Sequence, residues 1–138
     1  MSFTTERLAM NILVIDDDDR IRRMVAKVLS ADGHQVTCVD NGIAGVAAHR
    51  RDNPDVVVTD IIMPEQEGIE TIVTIRRERP EAKIIAISGG GRMADIELLR
   101  MARLLGADDV IAKPFRAEEL RRRVRALAEY HAPLDARA

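Results

Sequence analysis

The sequence predicts an α/β fold: one domain with a five-stranded parallel sheet and five helices divided between its two faces. Three observations carry this. Short aliphatic runs of strand length alternate with longer segments of helical periodicity. The runs are apolar at successive positions rather than at alternate ones, as strands buried on both faces require. And 138 residues, 46% hydrophobic and 32% charged, are the length and composition of one soluble globular unit. Right-handed crossovers between parallel strands leave few other arrangements.

Asn11 to Ile15 is the first strand, too short for a helix and almost wholly aliphatic. Four aspartates follow, Asp16 to Asp19, and then Ile21, Met24, Val25, Val28 and Leu29 recur at i, i+3, i+4, i+7 and i+8. That is the stripe of an amphipathic helix, capped by one of the aspartates and stopped near Gly33. Gln35 to Val39 is a second strand, more polar than the first and therefore placed at an edge. Asn41-Gly42 turns the chain into a second helix reaching about Arg51, with Ile43, Val46 and Ala47 facing inward. Pro54 ends that connection and Val56 to Asp60 is the third strand. Glu67 to Arg79 forms the third helix, bounded by Pro64 and Pro80, since proline does not fit a helix interior. Lys83 to Ser88 is the fourth strand, and after three glycines Met93 to Leu105 is the fourth helix, ended by Gly106. Val110 to Ala112 is a short fifth strand, and Arg116 to about Tyr130 the last helix, with Leu120, Val124 and Leu127 as its stripe. Residues 1–10 read as an N-terminal arm and 131–138 as a flexible tail, leaving the domain at 11–130.

Composition excludes several function classes. Twenty-one basic against twenty-three acidic residues give a net charge of −2, without the basic excess of a dedicated nucleic-acid binder. Phe3, Phe115 and Tyr130 are the only aromatics, too few for base-stacking platforms or an aromatic cage. No apolar stretch has the length of a signal peptide or a membrane span, and the lone Cys38 can form no intrachain disulfide, so a cytoplasmic location is expected. Set among Val36, Thr37 and Val39, Cys38 reads as a small buried hydrophobe. His34, His49 and His131 lack metal-ligand spacing and read as surface or capping histidines. Arg121, Arg122, Arg123 and Arg125 form the one basic cluster, read first as a solvated helix face and second as an interaction surface.

In parallel sheets of this kind ligands gather at the carboxyl ends of the strands. There the first strand leads to Asp16 and Asp17, the third ends at Asp60, the fourth at Ser88, and the fifth leads to Lys113. Three clustered carboxylates repel by roughly 4 kcal/mol per pair at ~4 Å and an effective dielectric of about 20. A cation that neutralises them makes such a cluster tolerable, and an oxygen-only donor set suits a hard ion such as Mg2+. A lysine and a hydroxyl beside them suit a phosphoryl group.

Asp16-Asp17 after Ile-Leu-Val-Ile, Asp60-Ile-Ile-Met63-Pro64 after Val-Val-Val-Thr, a later Gly68, Ser88 after Ile-Ala-Ile, Gly106-Ala-Asp-Asp and Lys113-Pro114-Phe115 occur in this order. From about Asn11 to Tyr130 the chain thereby resembles the receiver domain of two-component response regulators. The resemblance implies a doubly wound, flavodoxin-like sheet of order 2-1-3-4-5 and a role in phosphorelay signalling rather than conventional enzymatic turnover. It implies Asp60 as the phosphoacceptor for a histidine kinase or histidine phosphotransfer protein. It implies Mg2+ or Mn2+ bound by Asp17, Asp60 and the backbone carbonyl of Ile62, with Asp16 acting through water. Ser88, Lys113 and the Gly89 amide then contact the phosphoryl group, and the Lys113–Pro114 bond is cis. Phosphorylation is expected to reshape the fourth helix, fifth strand and fifth helix for a downstream protein or for homodimerisation; no membrane partner is expected, and the overall charge disfavours nucleic acid.

Position 110 departs from the family pattern. Receivers usually carry an aromatic ring on the fifth strand where this chain has Val110, and valine cannot perform the ring rotation that accompanies switching in those relatives. A chain of 138 residues leaves no room for a separate output module, which favours output by protein contact. The alternatives are a phosphorylation-independent docking module and the receiver fragment of a longer transcriptional regulator. A Mg2+-dependent phosphohydrolase shares the aspartate, lysine and serine but would need a further module to enclose its substrate.

Overall fold

The computed structural model describes residues 9–61, 68–89 and 93–129. Five strands, β1 (Asn11–Ile15), β2 (Gln35–Val39), β3 (Val56–Asp60), β4 (Ile84–Ser88) and β5 (Asp109–Ala112), alternate with α1 (Asp19–Ala31), α2 (Gly42–Asp52), α3 (Gly68–Glu78), α4 (Met93–Leu105) and α5 (Ala117–Glu129). All strand pairs are parallel, in the order β2-β1-β3-β4-β5. This is the sheet the family resemblance implied. Of the expected arm (1–10) and tail (131–138), only Ala9 and Met10 are among the described residues.

Every residue of β3 and β4 is buried, because both faces of these inner strands are covered. Successive residues feed two separate cores. Leu13, Ile15, Val57, Ile84 and Ala86 meet Val46 of α2, Ile72 and Ile75 of α3 and Ala102 of α4. Ile12, Val14, Val56, Val58, Ile85 and Ile87 meet Val25 and Leu29 of α1 and Leu120 and Val124 of α5. Burying such an aliphatic side chain contributes about 1.5–3 kcal/mol, and the two layers hold the sheet from both sides.

The helix ends follow from local chemistry. The Asp18 carboxylate caps α1 by accepting from the Arg20 and Ile21 amides at 2.9 and 3.4 Å, and the chain leaves α1 through Gly33 at φ +94°, a conformation that favours glycine. Asn41 Oδ1 accepts from the Ala44 amide at 2.8 Å to cap α2. Its other end is Asn53, in the left-handed region at φ 51°.

Three expectations are corrected. Ile43 is 66% exposed and Ala47 faces solvent, whereas Gly42, Gly45, Val46, Ala48 and His49 are buried. The cause is Gly45: a Cβ there would lie 2.4 Å from Ile15 Cδ1, so α2 approaches β1 on this residue, which keeps Val46 and Ala48 inward and turns Ile43 and Ala47 outward. His49 is consequently a core residue at 3% exposure rather than a surface or capping one. Cys38 is exposed, because the outer half of edge strand β2 is left uncovered and only Val36 and Val39 are partly buried there.

Candidate functional site at the carboxyl ends of the strands

Strands β1, β3, β4 and β5 lie side by side, and the residues at or just beyond their carboxyl ends converge. Asp16 leaves β1 with its amide still donating to Val39 O at 3.2 Å, Ile61 after β3 donates to Ile87 O at 3.0 Å, and Lys113 donates to Ser88 O at 2.6 Å. The backbones that present Asp16, Asp60 and Lys113 are thus continuations of the ladder, which fixes them as rigidly as the sheet itself.

Asp16, Asp17 and Asp60 each bring a carboxylate oxygen within 4.8 Å of the others. Asp16 and Asp60 are buried, at 2% and 5% exposure, and Asp17 opens to solvent. Lys113 Nζ sits between the buried pair, 3.7 Å from Asp16 Oδ2 and 3.6 Å from Asp60 Oδ2. Burial pushes the Asp16 carboxyl up, and the Asp17 and Asp18 charges add to this; the Asp18 amide and the Lys113 ammonium pull it down without cancelling the rise. The group therefore resists its own charge, as expected of a carboxylate poor in cations. Ser88 is fully buried, and its Oγ has no hydrogen-bond partner among the described residues. A buried hydroxyl without a partner is rare, and where one occurs it points to a missing ligand or water.

Two further features build the site. A Cβ on Gly68 would lie 2.2 Å from Asp60 O and 2.2 Å from Ile61 Cα, so only glycine lets α3 begin directly behind the Asp60 backbone. On the opposite side Arg22, in the second turn of α1, donates from Nη1 to Asp16 O at 2.8 Å and pairs through Nη2 with Asp19 Oδ1. Arg22 was not among the residues expected from sequence. Its one legible signal is the i, i+3 spacing from Asp19, which any solvated helix could show.

The remaining expected residues are distributed as follows. Gly89 is exposed directly after β4. Val110 is half-buried against the core beneath α2, α3 and α4, opposite Ala86 in the sheet. The Lys113–Pro114 bond is cis, as expected. Ile62, Met63 and Pro64 lie outside the described residues, as do Gly90 and Gly91. The basic cluster of α5 is divided: Arg121 pairs with Asp32 at 3.5 Å and Arg123 with Asp109 at 2.6 Å, while Arg122 and Arg125 face solvent. Half of it is therefore fold-holding rather than a free charged face.

The family model for the response regulator receiver domain matches residues 12–125. The chain belongs to that family. Among curated proteins, this receiver is 34% identical over 119 residues to the probable transcriptional regulatory protein TcrX of Mycobacterium tuberculosis, covering 86% of this chain and 49% of TcrX. It is 34% identical over 128 residues to the response regulator MprA of Mycobacterium leprae, covering 92% of this chain and 54% of MprA. The chain thus spans about half the length of these relatives. Among solved structures, the receiver domain of NtrX from Brucella abortus superposes with a TM-score of 0.82 at 33% identity, covering 87% of this chain and 99% of that one. The BeF3-activated receiver domain of DrrB gives 0.79 at 28% identity, covering 89% and 100%. Among the described residues no helix is long and apolar enough to cross a membrane.

Proposed function

We propose that this receiver accepts a phosphoryl group on Asp60 from a phosphohistidine of a histidine kinase or phosphotransfer protein, and signals through a changed protein-binding surface. The observation that carries this reading is the triad of carboxylates within 4.8 Å, with Lys113 paired to its two buried members, Asp16 and Asp60. Asp16, Asp17 and Asp60 would hold Mg2+ or Mn2+, which an all-oxygen, strongly anionic donor set fits. When bound, such an ion offsets the charge of the cluster and stabilises charge on the transferring phosphoryl oxygens.

In the transfer, a carboxylate oxygen of Asp60 bonds to phosphorus as the P–N bond to the donor imidazole breaks. The electron pair stays on the imidazole nitrogen, which takes up a proton. Lys113, 3.6 Å from Asp60 Oδ2, brings its ammonium to a phosphoryl oxygen, and the Ser88 hydroxyl, without a partner among the described residues, donates to another. Both interactions strengthen as charge gathers on the phosphoryl group, so they favour transfer over the resting state.

Output is assigned to α4, β5 and α5, whose strand leads straight into Lys113. Met101, Leu104 and Leu105 of α4 are 47%, 79% and 43% exposed, an apolar strip suited to protein contact or a homodimer. With valine at position 110 the switch works without a rotating ring. A second reading, the receiver half of a longer transcriptional regulator, is favoured by the length of the relatives and by the name of TcrX. Both readings share the chemistry at Asp60. Incubation with acetyl phosphate and Mg2+ should add one phosphoryl group to the intact mass of wild type and none to Asp60→Ala. No gain in wild type, or the same gain in Asp60→Ala, would refute the assignment.

A further inference from the structure

We propose that Arg22 is a positioning residue for the acid pair: it holds the peptide between Asp16 and Asp17 so that both carboxylates turn toward Asp60. The inference rests on the reading that these three aspartates bind a divalent cation, and extends it to a side chain that touches neither ion nor phosphoryl group.

The segment from Asp16 to Asp19 is not secured by secondary structure alone, since β1 ends at Ile15 and α1 begins at Asp19. Its hold comes from side chains and end groups in sequence. The Asp16 amide is tied to Val39 O at 3.2 Å. Asp16 Oδ1 accepts from the Asp18 amide at 2.8 Å, and Asp18 spends its own carboxylate on the first turn of α1. The Asp16 carbonyl is left, and it fixes the plane of the peptide from which Asp17 projects. The Arg22 guanidinium closes this gap, with Nη1 on that carbonyl at 2.8 Å and Nη2 on Asp19. With 20% of its side chain exposed, the fork is well shielded. A planar guanidinium can span a carbonyl and a carboxylate at once, whereas an ammonium on a flexible stem cannot do so with the same geometry.

Simple electrostatics makes the opposite forecast, which renders the proposal testable by sign. Arg22 is a cation beside an anionic cluster, so if it acted only through charge, removing it would tighten binding of a divalent cation. If it acts by orientation, removing it weakens binding. Isothermal titration of Mg2+ into the full chain decides between them. Arg22→Met, which keeps the stem and loses the donors, should bind Mg2+ about tenfold more weakly than wild type, the scale typical of residues that orient metal ligands. Arg22→Lys, which keeps the charge and loses the fork, should be weakened in the same direction by a smaller factor. Circular dichroism in chelating buffer checks that each variant is folded, and should Arg22→Met fail to fold, Arg22→Lys carries the test. Equal or tighter binding in a folded Arg22→Met, or wild-type affinity in Arg22→Lys, overturns the proposal. Absence of Mg2+ binding in wild type overturns the cation reading itself and removes the proposal with it.

Discussion

The two ends of the β4–β5 half of the sheet are built on opposite principles. At the amino ends one arginine ties several acceptors together. Arg76 of α3 donates to Gly106 O at 3.1 and 2.7 Å, to Pro80 O and Ala82 O at 2.6 Å each, and to Asp108 Oδ2 at 2.7 Å. Asp108 in turn accepts from the Ile84 amide at 2.8 Å. At the carboxyl ends three carboxylates lie within 4.8 Å of one another, two of them sharing Lys113 at 3.6–3.7 Å, and a buried hydroxyl lacks a partner among the described residues. One end spends its polar groups on holding the fold. The other crowds like charges together, in an arrangement that costs about 3 kcal/mol per carboxylate pair at ~5 Å and an effective dielectric of about 20. Departures from local satisfaction of this kind are where function is expected.

Mutations at the two ends should therefore move stability in opposite directions. Arg76→Ala leaves carbonyls and Asp108 without their donor and should destabilise the domain by about 2–3 kcal/mol in urea unfolding, while the folded fraction still takes up phosphate on Asp60. A smaller loss than about 1 kcal/mol would blunt the contrast. At the other end Asp16→Asn removes a buried charge that the site resists, yet keeps an oxygen for the Asp18 amide. In Mg2+-free buffer it should be more stable than wild type by about 1–2 kcal/mol, and should lose most of the stabilisation that wild type gains on adding Mg2+. A destabilised Asp16→Asn would mean that Lys113 already balances the cluster.

The smallest expected effect lies in the core between these ends. Burial, and then the nearby Arg79 charge, pull the His49 imidazole below its ordinary value of 6.5. The unfolded chain therefore binds a proton at His49 before the folded one does, so stability is full above this value and declines as pH falls below it. His34, lowered by burial as well, contributes with the same sign. Urea midpoints measured at about pH 7.5 and 5.5 should differ less in His49→Gln than in wild type. An unchanged difference would assign the effect to His34 and the carboxylates.

Much of this contrast could be read before any coordinates. The inner strands are continuous apolar runs because both faces are covered, so β1, β3 and β4 and their polar ends stood out in the chain, and with them Asp16, Asp17, Asp60 and Ser88, while Lys113 followed the short β5 run. What stayed hidden depended on how closely elements approach. Counting apolar residues placed Ile43 and Ala47 inward, but the contact of Gly45 with Ile15 sets the phase of α2, and the absence of a side chain leaves no periodic signal. Cys38 looked buried because its neighbours are valines, although strand position rather than composition decides exposure at an edge. Arg22 and Arg76 were two of many arginines; only the fold shows that each guanidinium meets a carbonyl from another segment.

The role proposed for the carboxylate cluster is phosphorylation of one aspartate. Borohydride reduction of the acetyl-phosphate-treated protein converts an acyl phosphate into the corresponding alcohol, and peptide mass mapping then locates it. Homoserine is expected at position 60 and at neither 16 nor 17, dependent on Mg2+. Homoserine at Asp16 or Asp17, or equal yield in chelating buffer, would contradict it.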